Sequence, residues 1–270
     1  MKRTMVKVSL TAALLIGVAS AAVAAFPQTP VRRCGPDAVP AGTLCLDRYE
    51  ASVWRVPNPT TTNAFLVKKI QLGHATRAAL TAGGATPLGT ASNDYAPCTD
   101  HGQNCANDIY AVSLPSELPS ASITWFQAQE ACANAGKRLP TSAEWQVGAN
   151  GTPDPGPDDR TTTCNSANDA TTTRTGARSR CVSARGAFDM VGNVAEWVAD
   201  WVPLSADCAG WGSFSDDIMC LFGASTTASG PGALVRGGFF FGGAISGPLT
   251  VIGTIAPFRS EDFLGFRCAR

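Results

Sequence analysis

Ten cysteines constrain this 270-residue chain more than any other feature: Cys34, Cys45, Cys98, Cys105, Cys132, Cys164, Cys181, Cys208, Cys220 and Cys268. Their number is even and no two stand as Cys-x-x-Cys, which argues for a disulfide framework over zinc or thioredoxin-like chemistry. All ten follow an N-terminus laid out as a secretory signal peptide. Lys2, Arg3 and Lys7 are basic, Val8 to Val18 is mostly apolar, and Ala21 to Ala25 offers small residues for cleavage after Ala24 or Ala25. That apolar core is too short for a membrane span, which needs roughly 20 residues, and no later stretch is long and apolar enough. No cysteine lies near the cut to carry a lipid anchor. The expectation is a signal peptide over 1–25 and one exported, disulfide-bonded domain over 26–270, secreted or periplasmic.

Spacing alone does not fix the connectivity. The local pairs Cys34–Cys45, Cys98–Cys105, Cys164–Cys181 and Cys208–Cys220 would each close a short loop and leave Cys132 to meet Cys268 across the fold. Without residues 1–25, 18 basic side chains face 21 acidic ones. This balance gives no reason to expect nucleic acid or an anionic membrane as a partner.

The chain is rich in loops, with 27 Gly and 18 Pro. Thr124 followed by Gln127, and Thr141 followed by Glu144, carry the capping-box pattern. They predict helices ending at Gly136 and near Ala149. A shorter helix is expected over Ala75–Ala82, closed by Gly83-Gly84. Strands are expected over Leu44–Trp54, Ile109–Leu114, Asp189–Trp197 and Leu234–Phe241. Gly151–Arg180 reads as loop pinned by cysteines.

Five segments, in order, then resemble the formylglycine-generating enzyme (sulfatase-modifying factor) family. They are Cys45-Leu46-Asp47-Arg48-Tyr49-Glu50, the run Ala135 to Trp145 containing Gly136-Lys137-Arg138-Leu139-Pro140, and the run Asp189-Met190-Val191-Gly192-Asn193-Val194-Ala195-Glu196-Trp197. Arg236-Gly237-Gly238 and Gly265-Phe266-Arg267-Cys268-Ala269 complete the set. The resemblance implies an α+β, C-type lectin-like fold of that subclass, loop-rich and disulfide-bonded. It also implies a bond between Cys132 and Cys268.

Active members carry two cysteines after the Arg/Lys-Gly-Gly element that bind copper and oxidise a substrate cysteine, work suited to soft thiolates. The matching positions here are Gly242 and Gly247, which offer no side chain, so no copper is expected. The three-histidine iron site of other members is out of reach, because the chain has only His74 and His101. No Gly-x-Ser-x-Gly, His-Glu-x-x-His or Walker-type motif occurs. The resemblance implies a structural calcium ion held by the side chains of Asp189 and Glu196 and the backbone oxygens of Gly192 and Val194, a mix that calcium favours.

The stretch between Arg236-Gly237-Gly238 and Gly265-Phe266-Arg267 also resembles the variable C-terminus of diversity-generating retroelement proteins, which encodes a ligand-binding surface. The candidate contact residues within 239–263 are Phe239, Phe240, Phe241, Ala244, Ile245, Thr250, Ile252, Thr254, Phe258, Arg259, Glu261, Asp262 and Phe263. Three consecutive Phe cannot share one face of a strand, so at least one must point away from the others. The reading is a non-catalytic protein that presents this surface to a protein or cell-surface ligand. The alternatives are a diverged copper-dependent cysteine oxidase and an envelope component without ligand.

Overall fold

A computed structural model of the chain describes residues 33–95, 108–154, 158–167, 170–227 and 230–270. Residues 1–25, read above as a signal peptide, and His101 lie outside the described residues. In chain order the elements are β1 (Ala38–Ala41), β2 (Leu44–Asp47), β3 (Ala51–Arg55), α1 (Ala64–Gln71), α2 (Arg77–Ala82), β4 (Thr86–Leu88), β5 (Ile109–Ser113), α3 (Trp125–Asn134) and α4 (Ser142–Ala149). There follow β6 (Ala195–Pro203), β7 (Ser205–Asp207), β8 (Met219–Cys220), β9 (Phe222–Ala224), β10 (Pro231–Arg236), β11 (Val251–Ile252) and β12 (Leu264–Phe266). This is the mixed, loop-rich, disulfide-bonded architecture expected. Among the described residues no helix is long and apolar enough to cross a membrane.

Both predicted capping boxes form. Gln127 N–H donates to Thr124 Oγ1 at 3.3 Å while Gln127 Oε1 accepts from Thr124 N–H at 3.0 Å. The reciprocal pair at Thr141 and Glu144 starts α4 at 3.2 and 2.8 Å. Gly136, at φ 68°, ends α3 in the left-handed region that glycine enters without steric cost.

The main sheet runs β12-β6-β10-β11-β8. β6 is its axis, antiparallel to β10 and parallel to β12. A second sheet, β4-β3-β5, packs with α3 around a core that includes Trp54, Ile109, Trp197, Phe266 and the Cys132–Cys268 bond. A smaller cluster joins Leu46, Trp145, Met190 and Leu234.

The structure describes four disulfides. Cys34 is bonded to Cys45, Cys164 to Cys181 and Cys208 to Cys220, each closing a short loop. Cys132 is bonded to Cys268 across the fold. The fifth pair the sequence suggested, Cys98 with Cys105, lies outside the described residues.

Three strand expectations need correction. The run 44–54 splits, because Glu50 leaves the ladder to become a buried hydrogen-bonding residue that accepts from Val194 N–H at 3.1 Å. The segment 189–194 is a turn with Asp189 and Asn193 at φ 55° and 56°, so the strand starts only at Ala195. β10 stops at Arg236, because Gly237 and Gly238 take φ 84° and 77°, which extended backbone cannot accommodate. Helix α1 has no counterpart among the sequence expectations.

Candidate functional site

The segment after β10 begins with the phenylalanine triplet. Freed from a strand, its rings diverge as their crowding requires. Phe240 turns inward at 6% exposure, Phe241 stands 52% exposed, and Phe239 is half-buried between them. Phe239 packs on Phe241 and Phe263, with ring centroids 4.4 and 5.0 Å apart, so the two ends of the segment meet through aromatic contact.

Ala244, Ile245, Phe258, Arg259 and Asp262 are exposed, and Thr254, Ile255, Glu261 and Phe263 are half-buried. Thr250 and Ile252 are not surface residues. Ile252 belongs to β11 inside the core, and the Thr250 hydroxyl accepts from Gly247 N–H and donates to Ile245 O, bracing the loop from below. Arg259 pairs with Glu261 at 2.6 Å.

Two recesses adjoin this surface. One, of about 540 Å3, is lined by Leu204, Thr254, Ile255, Arg259, Glu261 and Phe263. The other, of about 200 Å3, brings Phe240 and Asp262 together with Gly89, Thr90, Ser122 and Thr171. These last four come from segments far away in sequence and carry no motif, so sequence reasoning had no signal for them.

The two positions that the resemblance matches to the family's cysteines are filled from elsewhere. A Cβ at residue 242 would collide with Ser246 Oγ, and one at residue 247 with the carboxylate of Asp217. Ser246 Oγ accepts from Phe239 N–H at 3.1 Å and can donate to Phe239 O at 3.2 Å, and Asp217 Oδ2 accepts from Leu249 N–H at 2.7 Å. Both glycines are thus demanded by close approach rather than by backbone angle. Burial, with Asp154 and Asp216 nearby, pushes the Asp217 carboxyl up to about 6.

The cysteines act on this region as braces, and none of those described lines either recess. Cys164 and Cys181, both buried, pin the loop whose Ser166 O accepts from Gly243 N–H at 2.6 Å. Cys34 and Cys45 stand apart from it, tying the N-terminal end of the described chain to β2. Among the described residues no cysteine is free, so none offers a thiolate to a metal or an oxidant.

The two carboxylates that the resemblance marks for calcium both have partners within the chain. Both oxygens of Glu196 are engaged by Arg267, from Nε at 2.9 and 2.7 Å and from Nη2 at 2.6 Å, and Oε2 also accepts from Trp145 Nε1 at 2.6 Å. A guanidinium therefore supplies the positive charge. Asp189 accepts from Gly176 N–H at 2.7 Å, and burial pushes its carboxyl up to about 7. Burial, reinforced by Asp189 and Glu196, also drives Glu50 well above the usual carboxylate range. This knot holds the turn that carries Gly192 and Val194. Gly192 N–H in turn bonds Gly237 O at 3.0 Å and Phe240 N–H bonds Asn193 O at 3.1 Å, which ties the triplet to it.

The chain is 36% identical over 89 residues to the serine/threonine-protein kinase Pkn1 of Chlamydia trachomatis serovar L2, and 35% identical over 85 residues to pkn1 of Chlamydia caviae. Each match spans 31% of this chain and 14% of the kinase. Among solved structures it is similar to the Major Tropism Determinant M1 variant, at 17% identity over 87% of this chain and 52% of that one, with a TM-score of 0.46. It is also similar to PvdO from Pseudomonas aeruginosa, at 18% identity over 84% and 80%, with a TM-score of 0.42. Residues 35–270 match the sulfatase-modifying factor enzyme 1-like domain, and the chain belongs to that family.

Proposed function

We propose that the chain is an exported, non-catalytic ligand-binding member of its family, which presents the loops of residues 239–263 to a protein or cell-surface ligand. The observation that carries this reading is the state of the segment where active relatives keep their cysteines. Gly242 and Gly247 stand there, Ser246 and Asp217 fill the space their side chains would need, and Phe241, Ile245 and Phe258 of the same segment are 52%, 38% and 53% exposed. Large apolar side chains gathered on one exposed segment suit a binding surface. The signal-like N-terminus and the disulfides support export.

The test compares the mature protein with a Phe241→Ala/Ile245→Ala/Phe258→Ala variant for binding to intact cells of candidate hosts, scored by flow cytometry. Saturable binding lost in the variant is expected. Equal binding by both proteins overturns the surface assignment. Copper-dependent oxidation of a thiol peptide by the purified protein overturns the non-catalytic reading.

A further inference from the structure

The recess beneath Phe240 is built from groups whose capacity is not used within the chain. Its volume, about 200 Å3, is below the roughly 300–1,000 Å3 of sites that enclose drug-sized ligands. It has room for one side chain or a fragment. Among the described residues the one ionisable group on its wall is Asp262, whose carboxylate makes no hydrogen bond or ion pair among them. The neighbouring Arg259 is already committed to Glu261. Ser122 is nine-tenths buried, yet its hydroxyl also has no partner among the described residues. Its backbone sits at φ 51°, fixed by an N–H bond to Glu261 O at 2.9 Å. A non-glycine residue held in that region marks a position that the surrounding structure enforces.

We infer that this recess receives the ammonium group of a lysine side chain from a protein that docks on the aromatic surface. Asp262 is its counter-ion, Ser122 Oγ is an acceptor, and the Phe240 ring lines the path of the aliphatic stem. The inference rests on the binding-surface reading above. A carboxylate facing scattered hydroxyls suits the three rotatable donors of a compact ammonium. Phe241 lies against Phe240, with centroids 4.8 Å apart, and is half exposed. A free small amine would leave that apolar face uncovered, while a lysine flanked by apolar residues covers it.

The experiment titrates the full 15N-labelled chain with three probes: acetyl-Leu-Lys-Leu-amide, acetyl-Leu-Gln-Leu-amide and n-butylamine. The lysine peptide is expected to shift the amides of Ser122 and Asp262 and to bind at least tenfold more tightly than either other probe. Asp262→Asn, an exposed change whose folding is checked by thermal melting, is expected to erase the preference for lysine over glutamine. Ser122→Ala is expected to weaken it. No shift at those amides, or equal affinity for the two peptides, overturns the assignment. Butylamine binding as tightly as the lysine peptide overturns the protein partner in favour of a free amine. If the lysine peptide fails while the Phe241/Ile245/Phe258 variant still loses cell binding, the recess assignment falls and the surface reading stands.

Discussion

Arg267 and Glu196 form an ion pair with neither side chain more than 1% exposed, Nη2 lying 2.6 Å from Oε1. The guanidinium also donates to the backbone carbonyls of Phe188 at 2.8 Å and Asp47 at 3.1 Å. One side chain just past the last strand therefore fastens β6, the 188–194 turn and the end of β2. Removing one partner of a buried pair strands the other charge, which costs about 3–5 kcal/mol. Arg267→Met is expected to lower unfolding free energy by that amount in urea titrations, with Glu196→Gln milder because it keeps a hydrogen-bond acceptor.

The acidic knot around that pair gives stability a particular pH dependence. Asp189 has an ordinary carboxyl value of 3.8 and is held near 7 in the fold by burial. The folded chain keeps a proton across that interval that the unfolded chain releases, so stability falls as pH rises from about 4 to about 7. Glu50 is shifted in the same direction. Glu144, drawn down to about 2 by Arg138, acts only in more acid solution. Urea midpoints are expected to be lower at pH 8 than at pH 5. Asp189→Asn is expected to flatten the slope, since Asn tolerates the φ of 55° found there.

The bond between Cys132 and Cys268 closes a loop with a sequence separation of 136, and both cysteines are fully buried. A loop of that size stabilises by about 4–5 kcal/mol in the chain-entropy description. The double substitution to Ala is expected to lose that much in chemical denaturation. Under mild reductant, mass mapping should find the Cys208–Cys220 bond opened before Cys164–Cys181, because Cys208 is exposed whereas Cys164 and Cys181 are both buried.

Restoring cysteines at positions 242 and 247 is expected not to restore oxidase chemistry. Each new side chain would be driven into Ser246 or Asp217, and overpacking of this kind costs about 1–3 kcal/mol. A lower melting temperature without copper-dependent thiol oxidation is the expected outcome. It is read by calorimetry and a thiol-peptide assay.

What is legible in the sequence is what is written locally. Thr124 with Gln127 and Thr141 with Glu144 announce their helices because cap and partner lie three residues apart. Cys34 with Cys45 and Cys164 with Cys181 are neighbours along the chain before they are neighbours in space. Helix α1 escapes notice because Asn63 provides no side-chain cap bond and Phe65 and Leu72 are exposed, which blurs the apolar stripe. The break at Glu50 is set by Asn193 and Val194, more than 140 positions away. The inward turn of Thr250 and Ile252 follows from β11 pairing with β10, a contact that no local pattern encodes. Ser122 and Thr90 reach the recess through the same kind of long-range placement.

Both ends of the candidate segment are rooted on one strand. β10 lies along one side of β6 and β12 along the other, and β11, which falls between them in sequence, pairs with β10 on the side away from β6. The segment is therefore two loops, 237–250 and 253–263, anchored independently. Such a layout makes the domain a display scaffold: either loop can be lengthened, shortened or replaced by a foreign sequence away from Phe239, Phe241 and Phe263, whose rings pack the two loops together. A library built into one loop would vary what is recognised without asking the rest of the protein to fold anew.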